Sequence, residues 1–179
     1  MRQAILARRD SADIASRTHA SQLITQRLYA LPEYRAASVV VAYASFGSEL
    51  DTSAFLAGVL ADGKQLLLPR IDRAQRMLEL RHVVDLDKDL VAGVWGIREP
   101  AQRCPMLSDA TIGFMLVPGV AFTAQGARLG YGGGFYDRLL ASLDKGVART
   151  AAAFDLQMVD QLPEDPHDQR VDRIVTEKN

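Results

Sequence analysis

The sequence predicts one α/β domain built on a mostly parallel sheet, and three observations carry that expectation. Short apolar runs read as strands buried on both faces: SVVVAYA at 38–44, IGFMLV at 112–117 and VARTAAAF at 147–154. Helix-length segments lie between such runs, and strands alternating with helices fold as a layered α/β domain. The chain has 179 residues, 48% of them apolar, which suits one full core, so residues 1–179 are expected to form a single domain.

In chain order, residues 2 to about 28 read as one long helix, with Ile5, Ile14, Leu23, Ile24 and Leu28 as an imperfect apolar stripe ended by Leu31-Pro32. Strand 38–44 leads into loop 45–50. Asp51 can cap a helix over 52–61, and Gly63 can end it. Residues 65–68 form a strand closed by Pro69, and 77–84 a further strand. A short helical turn is expected over 85–90 and a loop over 94–105, which holds Trp95. Strand 112–117 ends at Pro118-Gly119, and a helix over 135–143 follows the glycine-rich stretch. Residues 147–154 form a strand, 155–161 a short helix, 164–172 a polar loop and 173–176 a last short strand. Ligands of parallel α/β sheets sit beyond the carboxyl ends of the strands, so the loops after Ala44, Val117 and Phe154 form the expected functional edge.

Bulk properties exclude several classes. A formal net charge of −1 argues against a protein that coats nucleic acid. One cysteine, Cys104, cannot form an intrachain disulfide, and a reducing, cytoplasmic setting is expected. No apolar stretch approaches the roughly 20 residues of a membrane span. The arginine-rich start is better read as a surface helix than as a transit peptide, because Asp10 and Asp13 interrupt it. A monomer is expected, since no apolar segment remains once the core is assigned.

Residues 128–138, RLGYGGGFYDR, are the most informative stretch. Gly130, Gly132, Gly133 and Gly134 expose backbone N–H groups with no Cβ in the way, at the start of a helix whose dipole favours anions. The loop is neither a P-loop nor a dinucleotide fingerprint. It is a phosphate cradle or a structural turn. Arg128 and Arg138 can grip phosphate oxygens, and Tyr131, Phe135 and Tyr136 offer flat faces to a ring. Asp137 is either a dipole-favoured carboxylate or a magnesium ligand beside phosphates, with Asp168 as a candidate second carboxylate. Glu49 is a solvated loop residue or an acceptor for the N–H edge of a heterocycle. Trp95 is a core or lid aromatic or a ligand platform. His19, His82 and His167 lack metal-ligand spacing, and Cys104 lacks a base partner, so zinc and thiol chemistry are not expected.

The run Pro118-Gly119-Val120-Ala121-Phe122, followed by Gly126-x-Arg128-Leu129-Gly130-Tyr131-Gly132-Gly133-Gly134-Phe135-Tyr136-Asp137-Arg138, resembles the signature of the 5-formyltetrahydrofolate cyclo-ligase family. The resemblance extends over nearly the whole chain, through 39–52 with Glu49-Leu50-Asp51, Leu68-Pro69-Arg70, Trp95-Gly96-Ile97 and His167-Asp168-x-x-Val171-Asp172. It implies a three-layer α/β/α Rossmann-like domain. It also implies ATP- and Mg²⁺-dependent conversion of 5-formyltetrahydrofolate, with or without a polyglutamate tail, into 5,10-methenyltetrahydrofolate, with release of ADP and phosphate.

By the same resemblance, Arg128, Leu129, Gly130, Tyr131, Gly132, Gly133, Gly134, Phe135 and Tyr136 bind ATP, and Tyr131 to Phe135 also face the folate. Asp137 and Asp168 match magnesium positions, Ala44, Glu49 and Trp95 match folate-contacting ones, and Arg128, Tyr136 and Asp137 are the expected catalytic set. Two departures stand out. The family's first helix usually carries Lys-x-x-Leu-Arg, whereas here Met1-Arg2 aligns with Leu-Arg and the sequence holds no counterpart of the lysine: either the true start lies upstream, or Arg2 and Arg8 serve ATP without it. Phe135 stands where many members have tyrosine. Rival readings are a sugar-phosphate isomerase or CoA transferase on a related fold, and an inactive folate- or nucleotide-binding paralogue.

Overall fold

A computed structural model describes residues 1–93, 96–107 and 111–179. Its centre is a six-stranded sheet with the order β10-β9-β6-β1-β2-β3. These strands are β1 (Val39–Val41), β2 (Gln65–Asp72), β3 (Met77–Val83), β6 (Phe114–Val117), β9 (Ala148–Ala152) and β10 (Arg173–Val175). All pairings are parallel except that of the edge strand β3, which runs antiparallel to β2. Two small hairpins lie outside the sheet: β4 (Leu90–Ala92) with β5 (Arg98–Pro100), and β7 (Ala121–Phe122) with β8 (Arg128–Leu129).

Alternation along the strands divides the core into two layers. Val40, Leu66, Leu68, Phe114 and Leu116 face one side, where they meet Ile24 and Leu28 of α2 (Ile14–Ala30), Tyr34 of α3 (Pro32–Ala36) and Phe55 of α4 (Ser53–Ala61). Val39, Val41, Leu67, Met115 and Val117 face the other, against Leu139 and Leu140 of α5 (Phe135–Ser142). The expected α/β/α layering around a mostly parallel sheet is therefore present.

The layering also places the crevice. From β1 the chain crosses through α4 on one face to β2, and from the adjacent β6 it crosses through α5 on the other face to β9. The two crossovers leave neighbouring strands in opposite directions, so the loops after β1 and β6 diverge. A gap opens at their carboxyl ends, the usual ligand position of such folds.

Several elements differ from the sequence expectation. The N-terminal segment is two helices, α1 (Arg2–Ser11) and α2, rather than one over 2–28. Asp13 is extended and its side chain accepts the Ser16 N–H at 2.8 Å, so the aspartate starts a new helix instead of continuing the old one. The break lets α1 turn away, and Ile5 packs on Val120 and Ala121 of the β7–β8 hairpin.

Strand β2 runs through Pro69 to Asp72. Leu67 turns its carbonyl toward Ala42, so by alternation Pro69 has its N-side toward β1 as well, beyond the point where β1 has ended, and the missing N–H breaks no ladder. The segment expected as a loop over 94–105 contains β5, and a hairpin intervenes between strand β6 and the glycine loop. The helix expected over 155–161 is one 3₁₀ turn, Asp155–Gln157. Helix α4 begins after Thr52, with Asp51 Oδ1 accepting the Ser53 N–H at 2.9 Å.

Candidate active site

The loop after β1 is held by Thr52, whose hydroxyl donates to Tyr43 O (2.8 Å) and accepts from Ser45 N (3.1 Å). Gly47, at φ 59°, makes the tight turn that brings the chain back. Glu49 folds into this turn: Phe46 N donates to Glu49 Oε2 at 3.1 Å, and Glu49 N donates to Phe46 O at 3.1 Å. The carboxylate is thereby directed at the crevice rather than at solvent. Ala44, at the end of the same segment, is half-buried.

The glycine loop arrives from the opposite lip. The β7–β8 hairpin turns at Gly126, whose φ is +84°. A Cβ there would lie 2.2 Å from Val171 O, while Val171 N donates to Gly126 O at 3.0 Å. This contact seats the tail loop that carries Asp168. Gly126→Ala is expected to destabilise the protein by at least about 1 kcal/mol, from backbone strain and the close approach. Urea unfolding measures it, and an unchanged midpoint would contradict the packing described.

Beyond β8, Gly134 adopts φ +64° and starts α5, so the loop opens directly onto a helix N-terminus. Tyr131 reaches across the gap and donates its hydroxyl proton to Glu49 Oε1 at 2.6 Å, and its ring lies 5.6 Å from that of Phe46. The expected glycine-loop residues and Glu49 are thus brought to one crevice. Arg2 closes its end, donating from Nε to Gly130 O at 2.8 Å, and its guanidinium lies about 3.4 Å from where a Cβ on Gly132 would stand.

The two arginines that bracket the loop have different surroundings. Arg128 is buried, with its side chain 3% exposed; Nη2 donates to Asp137 Oδ1 at 2.5 Å and Nη1 to Pro118 O at 3.4 Å. Its buried Nε has no hydrogen-bond partner. Arg138 ties the loop to the β2–β3 turn, donating to Arg76 O (3.0 Å) and Gly133 O (3.1 Å) with its guanidinium over the Phe135 ring.

Asp137 Oδ1 also accepts the Gln169 N–H at 3.2 Å, so the residue after Asp168 docks directly on Asp137. The Asp168 carboxylate itself accepts from Asp165 N at 2.7 Å. Sequence spacing could not join these two segments, and the tail loop does so. Among the described residues no three His, Cys, Asp or Glu side chains converge as a metal cage. Trp95 lies outside the described residues.

Electrostatics follow from the burial. Desolvation pushes the Glu49 carboxyl above the ordinary carboxylate range, opposed by the Tyr131 hydrogen bond, the Phe46 N–H and the Arg9 charge. Burial also pushes the Tyr131 and Tyr136 phenols well up, with the Glu49 charge adding to both, so each remains a neutral donor. Arg9, only 4% exposed, was missed by the sequence reading, which favoured Arg8; Arg9 donates from Nη2 to the Tyr131 hydroxyl at 3.0 Å, whereas Arg8 is exposed. An arginine in the last turn of an N-terminal helix gives no local signal of burial. Gln157 was missed for the same reason; its amide donates to Gly119 O and Val120 O and so holds the loop after β6.

A crevice with an amide-rich loop on one lip and a half-buried carboxylate on the other has a counterpart among known proteins. The model of the 5-formyltetrahydrofolate cyclo-ligase family matches residues 1–177. The chain belongs to this family. As a cyclo-ligase family member it is an enzyme of the ligase class in folate metabolism. It is similar to the 5-formyltetrahydrofolate cyclo-ligase of Mycolicibacterium smegmatis, 38% identical over 78% of this chain and 73% of that one. The cyclo-ligase of Haemophilus influenzae is 33% identical over 80% and 78%. The solution structure of Aquifex aeolicus 5,10-methenyltetrahydrofolate synthetase superposes with a TM-score of 0.85 at 34% identity, covering 99% of this family member and 88% of that chain.

Proposed function

We propose that the chain converts 5-formyltetrahydrofolate into 5,10-methenyltetrahydrofolate with ATP and Mg²⁺, releasing ADP and phosphate. The observation that supports this reading most is the Tyr131–Glu49 bond of 2.6 Å, which joins an anion-favouring loop to a carboxylate suited to a heterocycle. Two chemically different ligand ends can then meet in one crevice. The family's reaction has that requirement.

The chemistry sets the demand. The formamide on N5 is a poor electrophile and its oxygen a poor leaving group. Transfer of a phosphoryl group onto that oxygen activates the carbon, N10 closes the ring and phosphate departs. Magnesium would supply charge neutralisation at the phosphates. The donor types suit such an ion: Mg²⁺ takes one or two carboxylates beside phosphate oxygens, and Asp137, with Asp168 on the tail loop that docks against it through Gln169, would supply them. The fit to phosphates rests on the glycines and on Arg128, whose Nη1 lies 3.0 Å from where a Cβ on Gly130 would stand.

The chain's own residues then have distinct tasks. The amides of residues 129–134 would cradle phosphate oxygens, with Arg2 fixing the loop through Gly130. Arg128 would hold Asp137 in place through Nη2 and present Nη1 beside Gly130. Glu49 would accept N–H donors of the pterin, and Ala44, Phe135 and Tyr136 would supply apolar contact around it, with Trp95 a further candidate. Positioning and charge stabilisation suffice, with no covalent enzyme intermediate. Arg2, the match to the arginine of the family's Lys-x-x-Leu-Arg element, would serve the ATP end of the loop through its contact with Gly130.

The test is ATP-dependent appearance of the methenyl chromophore when the purified chain meets 5-formyltetrahydrofolate and Mg²⁺. Turnover supports the reading. Binding of folate without turnover would identify a non-catalytic paralogue instead.

A further inference from the structure

We infer that Arg9 is a positioning residue for Glu49, acting through the Tyr131 hydroxyl and so joining the first helix to the substrate-binding carboxylate. The inference rests on the reading of Glu49 as the pterin acceptor. It starts from hydrogen-bond direction. An arginine has donors and no acceptor, so in the 3.0 Å contact between Arg9 Nη2 and the Tyr131 hydroxyl the tyrosine oxygen must accept. Its single proton is then left for Glu49 Oε1, 2.6 Å away. With Phe46 N on Oε2, both carboxylate oxygens are fixed, one by the backbone and one by a tyrosine whose orientation Arg9 dictates.

Arg9 is itself fixed. It is 4% exposed, and its Nε donates to Ser48 Oγ at 3.0 Å, whose hydroxyl proton goes to the Asp10 carboxylate. The chain Asp10–Ser48–Arg9–Tyr131–Glu49 therefore runs from α1 through the β1 loop to the glycine loop and back. Burying a guanidinium is costly unless its donors are used, so a purely surface-covering helix would not retain it there.

The groups around Glu49 come from every element packed on it. Tyr43 follows β1, Tyr131 belongs to the glycine loop, Tyr136 to α5 and Arg9 to α1. The three tyrosines are neutral; the burial of Glu49 is opposed first by the Tyr131 hydrogen bond, then by the Phe46 N–H, and then by the Arg9 charge.

The experiment is equilibrium binding of 5-formyltetrahydrofolate without ATP, followed from acidic to mildly alkaline pH, for wild type, Arg9→Gln, Arg9→Lys, Tyr131→Phe and Glu49→Gln. Arg9→Gln should weaken binding on the order of tenfold near neutral pH, the scale of a lost charge-assisted interaction. It should also move the midpoint of the pH profile upward. Arg9→Lys should restore the midpoint, because it keeps the charge, without restoring full affinity. Tyr131→Phe should add little to Arg9→Gln, because both act on one path. A pH-independent loss in Arg9→Gln, accompanied by a lowered unfolding midpoint, would overturn the inference and leave Arg9 a packing residue. Wild-type binding by Glu49→Gln would instead overturn the reading of Glu49 on which it rests.

Discussion

Replacing Asp137 with asparagine is expected to lower turnover at least tenfold, about 1.4 kcal/mol of barrier. The same change is expected to cost about 3 kcal/mol of stability. Both follow from one atom. Asp137 Oδ1 receives the buried Arg128 at 2.5 Å and the Gln169 N–H at 3.2 Å, so it is the junction of glycine loop and tail loop. Asparagine keeps the shape and removes the charge. Arg128, with its side chain 3% exposed, would then be a buried cation without its counter-ion. The carboxylate is 23% exposed, which places the stability cost toward the lower end for a buried pair.

A magnesium titration separates the two effects. If Asp137 holds the ion, the variant needs more Mg²⁺ for half-maximal rate. If it serves only Arg128, the requirement stays as in wild type while the unfolding midpoint falls. Wild-type turnover in the variant would remove Asp137 from catalysis altogether.

Glu49→Gln is expected to weaken folate binding about tenfold or more, since hydrogen bonds to a charged group contribute roughly 1.5–3 kcal/mol. The pH dependence has a definite sign. Burial raises the carboxyl above its ordinary range, so the ionised fraction grows as pH climbs through the raised value. Folate affinity should rise over that window in wild type and stay flat in the glutamine variant. Stability runs the other way. The folded state keeps the Glu49 proton where the unfolded chain has lost it, so stability falls as pH rises through the same window. The glutamine variant should lack that fall. A wild-type folate KM in Glu49→Gln would exclude Glu49 from the substrate site.

Much of this arrangement was readable from residues. The β-branched run around Val40 and the apolar run around Phe114 marked buried strands, because apolar residues on both faces leave no other place for them. The loops after β1 and β6 could be named as the functional edge because parallel topology fixes where strands end. The glycine stretch pointed to the candidate site, since so many glycines before a helix mark a required backbone conformation or a close approach.

What could not be read depended on distant contacts or on competing local choices. The stripe through Ile5 and Ile14 suggested one helix, but the Asp13 side chain offered the backbone a better start four residues before Arg17, and α1 gained the β7–β8 hairpin as a partner. Pro69 suggested a strand end, although its neighbour on that side had already finished. The pairing of Arg128 with Asp137 spans nine residues and a helix start, and the docking of Gln169 on Asp137 spans 32, so neither leaves a local pattern. Arg9 reaches Tyr131 across 122 residues of sequence, beyond any spacing argument.

The proposed function requires one crevice to couple ATP to a reduced folate. Its most direct test is the stoichiometry of the reaction, with ADP release and methenyl absorbance followed in the same cuvette. The expected result is one ADP for each methenyltetrahydrofolate formed, and no ADP when 5-formyltetrahydrofolate is left out. ADP formed at the same rate without folate, or chromophore formed at the same rate without ATP, would contradict it.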